Sequence, residues 1–237
     1  MLEAVLADRE GRSLGAIADD LGVPRATAHR QVATLVREEY LRRLSNGRIT
    51  VGRRLRALAQ LADEKQVIVG VAAPVLHRLA AGLHCVAQLG TLENDMVTYR
   101  IKTGQGAGDL FTRVGLQLEA YCTAIGKVLL AALPEIERET YLSTGPFPAL
   151  TARTITDPAA LRDHLQQVRE QGFARDDEEI VEGLSCLAVP IHTADDSAVA
   201  AISVSRPTSS VGQTPEAKVI GQLQRAAREI EAALQIK

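Results

Sequence analysis

Residues 14–30 read Leu14-Gly15-Ala16-Ile17-Ala18-Asp19-Asp20-Leu21-Gly22-Val23-Pro24-Arg25-Ala26-Thr27-Ala28-His29-Arg30, and their spacing decides the N-terminal fold. Leu14, Ile17, Ala18 and Leu21 fall at i, i+3, i+4 and i+7, one face of a helix, and Ser13 before them is a suitable N-cap. Gly22 stops that helix. Pro24 is placed to open the next one as its first residue, where a missing N–H costs nothing. Ala28, Val32, Leu35 and Val36 then form a buried stripe. Two short helices joined by Gly22-Val23 make a helix-turn-helix. Leu2, Val5 and Leu6 mark one more helix ahead of them.

Working outward, Arg25, Thr27, His29 and Arg30 cluster in the first two turns of the third helix and fall mostly outside its apolar stripe. Recognition helices present base-reading and phosphate-binding side chains from that end. Next come two strand-like runs, Tyr40–Leu44 and Arg48–Val51, around Ser45-Asn46-Gly47. Asn-Gly predicts a type I′ hairpin turn, with positive φ at both central residues. A hairpin after a helix-turn-helix is a wing, and Arg42, Arg43 and Arg48 suit it to phosphates or a narrow minor groove. The order of helix, helix-turn-helix and basic hairpin predicts a winged helix over residues 1–52 that binds duplex DNA.

Charge is distributed in the same sense. Residues 1–60 hold 11 Arg and no Lys against 7 acids, a net +4, while the other 177 residues carry 16 bases and 22 acids, a net −6. A basic head on an acidic body fits a chain that meets a polyanion at one end. There is no Trp, and three Phe and four Tyr are too few for a base-stacking platform, which argues against single strands or RNA. Three widely spaced cysteines, Cys85, Cys122 and Cys186, read as reduced thiols in a cytoplasmic protein. The run Val67–Leu76, broken by Gly70 and Pro74, reads as too short to cross a bilayer.

A linker helix is expected over 53–66, with Leu55, Leu58, Ala59 and Ala62 on one side, and a second domain over 67–237. That domain opens with a helix from Val67 to Gly82. Hairpins are expected around Glu93-Asn94-Asp95 and around Ala194-Asp195-Asp196-Ser197, with helices at 123–133, 158–171 and 215–234. Antiparallel strands with helices packed on the sheet make an α+β sensor-like domain.

Read together, these segments resemble the IclR family of bacterial transcription regulators. The resemblance is carried by residues 14–30 and Val51-Gly52-Arg53-Arg54-Leu55 in the first part. In the second it rests on Thr123-Ala124-Ile125-Gly126-Lys127-Val128-Leu129-Leu130-Ala131, on Gly172–Glu179, on Gly183–Ile191 and on Ala201–Ser205. Glu39 stands where the family often has a helix-ending Gly, and Ile49 where its wing often has an aromatic. The resemblance implies a GAF-like effector-binding domain, dimers that often pair into tetramers, and regulation of small-molecule metabolism by an organic acid or similar effector; no cofactor and no metal are expected. It places effector-binding positions at Ala124, Ile125, Asp176, Cys186, Ser203 and Ser205.

Those positions make chemical sense. Thr123 can cap a helix whose first amides, on Ala124 and Ile125, are free to bind an anion. Ser203 and Ser205, two apart in a strand, point the same way and can share one carboxylate. The plain alternatives are solvent-facing serines, a buried apolar Cys186 and a solvated acidic run at Asp176–Glu179. Two other functions compete: a thiol hydrolase built on Cys186, His192 and Asp176, and a ligand-independent DNA-binding dimer. No nucleophile elbow, phosphate loop or metal-binding spacing supports catalysis.

Overall fold

Ser13 caps the second helix as its sequence predicts, its hydroxyl accepting from the Ala16 N–H at 3.2 Å. The protein is described by a computed structural model covering residues 1–8, 11–61, 64–194 and 196–234. Two compact units divide at Glu64/Lys65.

The first unit carries α1 (Leu2–Ala7), α2 (Leu14–Asp20), α3 (Arg25–Arg37), a hairpin of β1 (Leu41–Arg43) and β2 (Ile49–Val51), and α4 (Arg53–Leu61). Val5, Ile17, Val32 and Leu41 form its small core. Two expectations are corrected. Leu21 is 44% exposed, because it caps the end of α2 instead of extending its stripe. Pro24 caps α3 from an extended conformation, so Arg25 is the first helical residue.

The wing turn also differs from expectation. Only Gly47 has positive φ (+79°); Gly47 N–H donates to the Leu44 carbonyl at 2.9 Å, and Arg48 N–H to the Asn46 side chain at 3.1 Å. This is a turn over Leu44–Gly47 followed by a left-handed glycine, the three-residue loop rather than the two-residue type I′. Glu39 takes φ +59° at the position noted above, and its carboxylate is held by Arg53 at 2.6 Å. Directly opposite, a Cβ on Gly52 would lie 2.1 Å from the Glu39 carbonyl oxygen, so only glycine fits there.

The second unit is a three-layer α+β sandwich. Its elements are α5 (Glu64–Leu83), β3 (Val86–Glu93), β4 (Met96–Gly104), β5 (Gln117–Glu119), α6 (Ala124–Ala132), α7 (Glu135–Leu142), α8 (Pro158–Gln171), β6 (Ala174–Asp177), β7 (Leu184–His192), β8 (Ala198–Pro207) and α9 (Glu216–Leu234). The six strands pair antiparallel in the order β5-β4-β3-β8-β7-β6. Asn94 and Asp95, both at positive φ, form the tight β3–β4 turn. Asp195, in the β7–β8 turn, and Ala62, in the expected linker stripe, lie outside the described residues.

Alternation along the strands sorts side chains between two cores. Ala200, Ile202 and Val204 of β8 join Leu76 of α5 and Leu223 and Ile230 of α9. Ala188 and Ala201 face Ile125, Leu129, Leu161 and Leu165 of α6 and α8. Helix α5 is more apolar than the run Val67–Leu76 led one to expect. Lys65–Leu83 has the length and mean hydropathy, 1.5, to cross a membrane. In the fold it places Ile68, Ala72, Val75, Leu76 and Ala80 in the core.

Candidate functional site

In the first unit, Arg25, His29 and Arg30 are exposed on the N-terminal half of α3, Thr27 is half-buried, and Arg42, Arg43 and Arg48 are exposed on the wing. Their electrostatic states differ. Arg25 is clamped to Asp19 of α2, Nε at 3.0 Å and Nη2 at 2.5 Å, and that carboxylate holds its pKa up. Arg30, Arg42, Arg43 and Arg48 make no ion pair among the described residues, so their charge is available to a polyanion. His29, Arg43 and Arg48 share the wall of a cleft of about 370 Å³ beside the wing.

In the second unit, all six residues singled out for effector binding line one pocket, together with Gln88, Tyr99, Leu110, Phe111, Thr112 and Leu184. Strand register produces the convergence. Asp176 of β6 pairs with Cys186 of β7, and Cys186 with Ser205 of β8, giving one row across three strands. Ser203 sits two residues back on the same face, opposite Gln88 of β3. The solvent-facing alternative for the serines does not hold, since both are 3% exposed.

Helix α6 supplies the opposite wall. Thr123 Oγ1 donates to the Glu119 carbonyl and accepts from the Gly126 N–H at 3.1 Å. A Cβ on Gly126 would meet the Ala120 carbonyl oxygen at 2.2 Å, so glycine lets the first turn of the helix seat on that backbone. The amides of Ala124 and Ile125 bond to no protein acceptor among the described residues. They are the unfilled donors at a positive helix end, which suits an anion.

A polar chain crosses the pocket. Gln88 Nε2 donates to Thr112 Oγ1 at 2.7 Å, Ser205 Oγ donates to Gln88 Oε1 at 3.1 Å, and Cys186 Sγ lies 3.2 Å from Ser205 Oγ. Gln88 and Thr112 were not anticipated. A lone Gln in an apolar strand carries no signal until register places it beside Ser203. The free space is about 10 Å³, close to that of one water. Phe111, 48% exposed, and Leu110 cover it.

Asp176 is 1% exposed, so it is neither a solvated member of an acidic run nor turned toward solvent. Burial pushes its carboxyl up to about 7, against the opposing pull of the Glu179 N–H (2.8 Å) and the Lys127 ammonium. Burial likewise pushes the Cys186 thiol far above the ordinary range, with the nearby Asp176 adding to it. That removes the thiolate a hydrolase needs. His192 lies six residues along the same strand from Cys186, about 20 Å away by strand rise, and contacts Glu231 at 3.3 Å. The two do not form a dyad. Among the described residues no cluster could hold a metal ion.

Both units have counterparts among known proteins. The profile of the bacterial transcriptional regulator IclR C-terminal domain matches residues 60–232, and that of the IclR helix-turn-helix domain matches residues 1–45. The chain is 35% identical over 193 residues to the Pca regulon regulatory protein of Pseudomonas putida, covering 77% of this chain and 63% of that relative. It is 32% identical over 220 residues to the HTH-type transcriptional regulator XynR of Escherichia coli, covering 90% and 86%. An IclR homolog from Microbacterium hydrocarbonoxydans, solved in complex with 4-hydroxybenzoate, superposes with a TM-score of 0.68 at 29% identity, covering 100% of this chain and 96% of that one. With profiles matching both units and relatives that are themselves regulators, the chain belongs to the IclR family of bacterial transcription regulators.

Proposed function

We propose that this regulator binds duplex operator DNA through residues 1–52 and that a small organic acid, seated in the pocket of residues 67–237, modulates that binding. Residues 53–66 serve as the linker helix in this reading, and the working form is a cytoplasmic homodimer or tetramer. The observation that carries it is the convergence of two free helix amides, two buried serines and a buried, near-neutral carboxyl on one pocket. The relative solved with 4-hydroxybenzoate supports an aromatic hydroxy acid as the first ligand to try. Since the pocket encloses about 10 Å³, seating an acid of that size requires its lining side chains to rearrange.

The test is a gel-shift titration on the DNA flanking the protein's own coding region, with and without 4-hydroxybenzoate and a panel of hydroxy and keto acids. At least one acid is expected to change operator affinity by about 5–150-fold, the usual range of allosteric coupling. If the protein binds the DNA specifically and no acid shifts it, the ligand-independent binder replaces this reading.

A further inference from the structure

Where β8 ends and β3 and β7 begin lies a second, larger cavity of about 590 Å³, within the range of small-molecule sites. Val86, Leu110 and Leu184 give it apolar wall, and Gln105 and Gln213 stand exposed around it. Arg206, only 8% exposed, also lines it. As the residue after Ser205, its side chain leaves the strand on the face opposite the serines. It is therefore not a member of the pocket described above.

The side chain of Arg206 makes no hydrogen bond and no ion pair among the described residues. The acids around it are engaged elsewhere. Asp177, in the same row across β6 and β7, pairs with Arg153, and Asp109, exposed on the cavity wall, acts electrostatically on Lys102. Burial raises the Cys85 thiol, on the same cavity wall, to about 11, and Arg206 pulls it down. Arg206 is largely buried, yet none of its nitrogens is sealed off without a partner, so its donors stand open to the cavity. Its planar fork of donors matches a carboxylate or phosphate.

We propose that this cavity is a second small-molecule site, taking a small organic anion whose carboxylate or phosphate is held by Arg206 and whose apolar body lies along Val86, Leu110 and Leu184. The site stands independently of the effector pocket, but the two share Leu110, Leu184 and Ser205 as walls. An occupant of one changes the affinity of the other through that common wall.

The experiment uses the full chain with benzoate, phenyl phosphate and neutral benzamide, read by thermal shift and calorimetric titration. Benzoate or phenyl phosphate is expected to raise Tm saturably while benzamide does not. Affinity is expected to fall by at least about ten-fold in Arg206→Met and in Arg206→Lys, which keeps the charge but loses the fork, and to survive in Ser203→Ala, which alters the inner pocket alone. Unliganded Arg206→Met is expected to melt close to the wild type, since its side chain has no hydrogen bond or ion pair to lose among the described residues. Four results overturn the proposal: no anion stabilises the wild type; the shift survives Arg206→Met; only Ser203→Ala abolishes it, which puts the anion in the inner pocket; or unliganded Arg206→Met melts lower or fails to fold, which makes Arg206 structural.

Discussion

The ammonium of Lys127, one turn into α6 and fully buried, is paired with the carboxylate of Glu179 just beyond β6. Glu179 keeps a second oxygen, Oε2, buried without a partner, and burial holds its pKa up against the pull of Lys127. On α8, His164 has its Nε2 buried without a partner; burial, helped by the Lys127 charge, lowers it to about 4, so it stays neutral. The pair ties the helix that offers the free amides to the segment that positions Asp176.

Breaking that pair from one side leaves a buried charge uncompensated. Lys127→Met is expected to cost about 3–5 kcal/mol of unfolding free energy. The double variant Lys127→Met/Glu179→Met should recover most of the loss. Urea denaturation of both decides it. A double variant as unstable as the sum of the singles means the pair is not coupled as described.

Asp176 makes stability depend on pH. A carboxyl held at about 7 in the folded state, against 3.8 ordinarily, contributes stability that is present at low pH and lost as pH rises from about 4 to about 7. Asp176→Asn should remove this slope and gain on the order of 2–4 kcal/mol over the wild type at pH 8. Thermal melts between pH 5 and pH 8 measure it. Parallel curves for the two proteins would show that the carboxyl is already ionised throughout.

The DNA interface predicts graded effects. Replacing Arg30 or Arg48 by Ala should flatten the log–log salt dependence of DNA binding by about one per phosphate contact. Arg25→Ala should flatten it less, because that guanidinium is already paired with Asp19. Gel shifts at several salt concentrations check the order. If Arg30→Ala with Arg48→Ala leaves affinity and slope untouched, the helix and wing do not meet the backbone.

Assembly follows from the size of the reading head. One winged helix covers a single short half-site, so symmetric regulators pair and read two half-sites about one helical turn, or a multiple of it, apart. Light scattering at micromolar concentration should give a dimer or tetramer, and a monomer with and without DNA would refute it.

The sequence carried the head and the helices of the body, because amphipathic spacing is local. It misread what register and turn closure decide. Leu21 fits the period of α2 yet is exposed as its cap, and Asn46-Gly47 closes a three-residue loop instead of a type I′ turn. Strand β6 was hidden inside an acidic run, where Asp176 and Glu179 point inward while the Asp177 side chain stays half exposed. Helix α7 and strand β5 are short, and Ile136 of α7 is 81% exposed, so neither leaves a clear stripe. The six pocket positions were legible through the family resemblance. Gln88 and Thr112 were not, because they matter only as partners of Ser205 and of each other.

The pocket's chemistry also constrains its ligand. Two helix amides and two serine hydroxyls offer donors to a carboxylate, and no lysine or arginine lines the wall to add charge. With its carboxyl held at about 7, Asp176 takes up a proton readily, and in that form it stands beside an anion without the repulsion of a second full charge. Protonated, it donates a hydrogen bond, and it can accept one as well, which favours a ligand with a hydroxyl or keto oxygen near its carboxylate over a simple fatty acid. A ligand at a hundred times its dissociation constant stabilises the fold by about 2.7 kcal/mol, enough for a clear melting shift. Hydroxy and keto acids should therefore raise Tm in the wild type, and Ser203→Ala/Ser205→Ala should lose the effect, while Arg206→Met retains it. Equal stabilisation of the serine variant would place the acid elsewhere. Stabilisation by neutral or cationic compounds alone would remove the anion site with it.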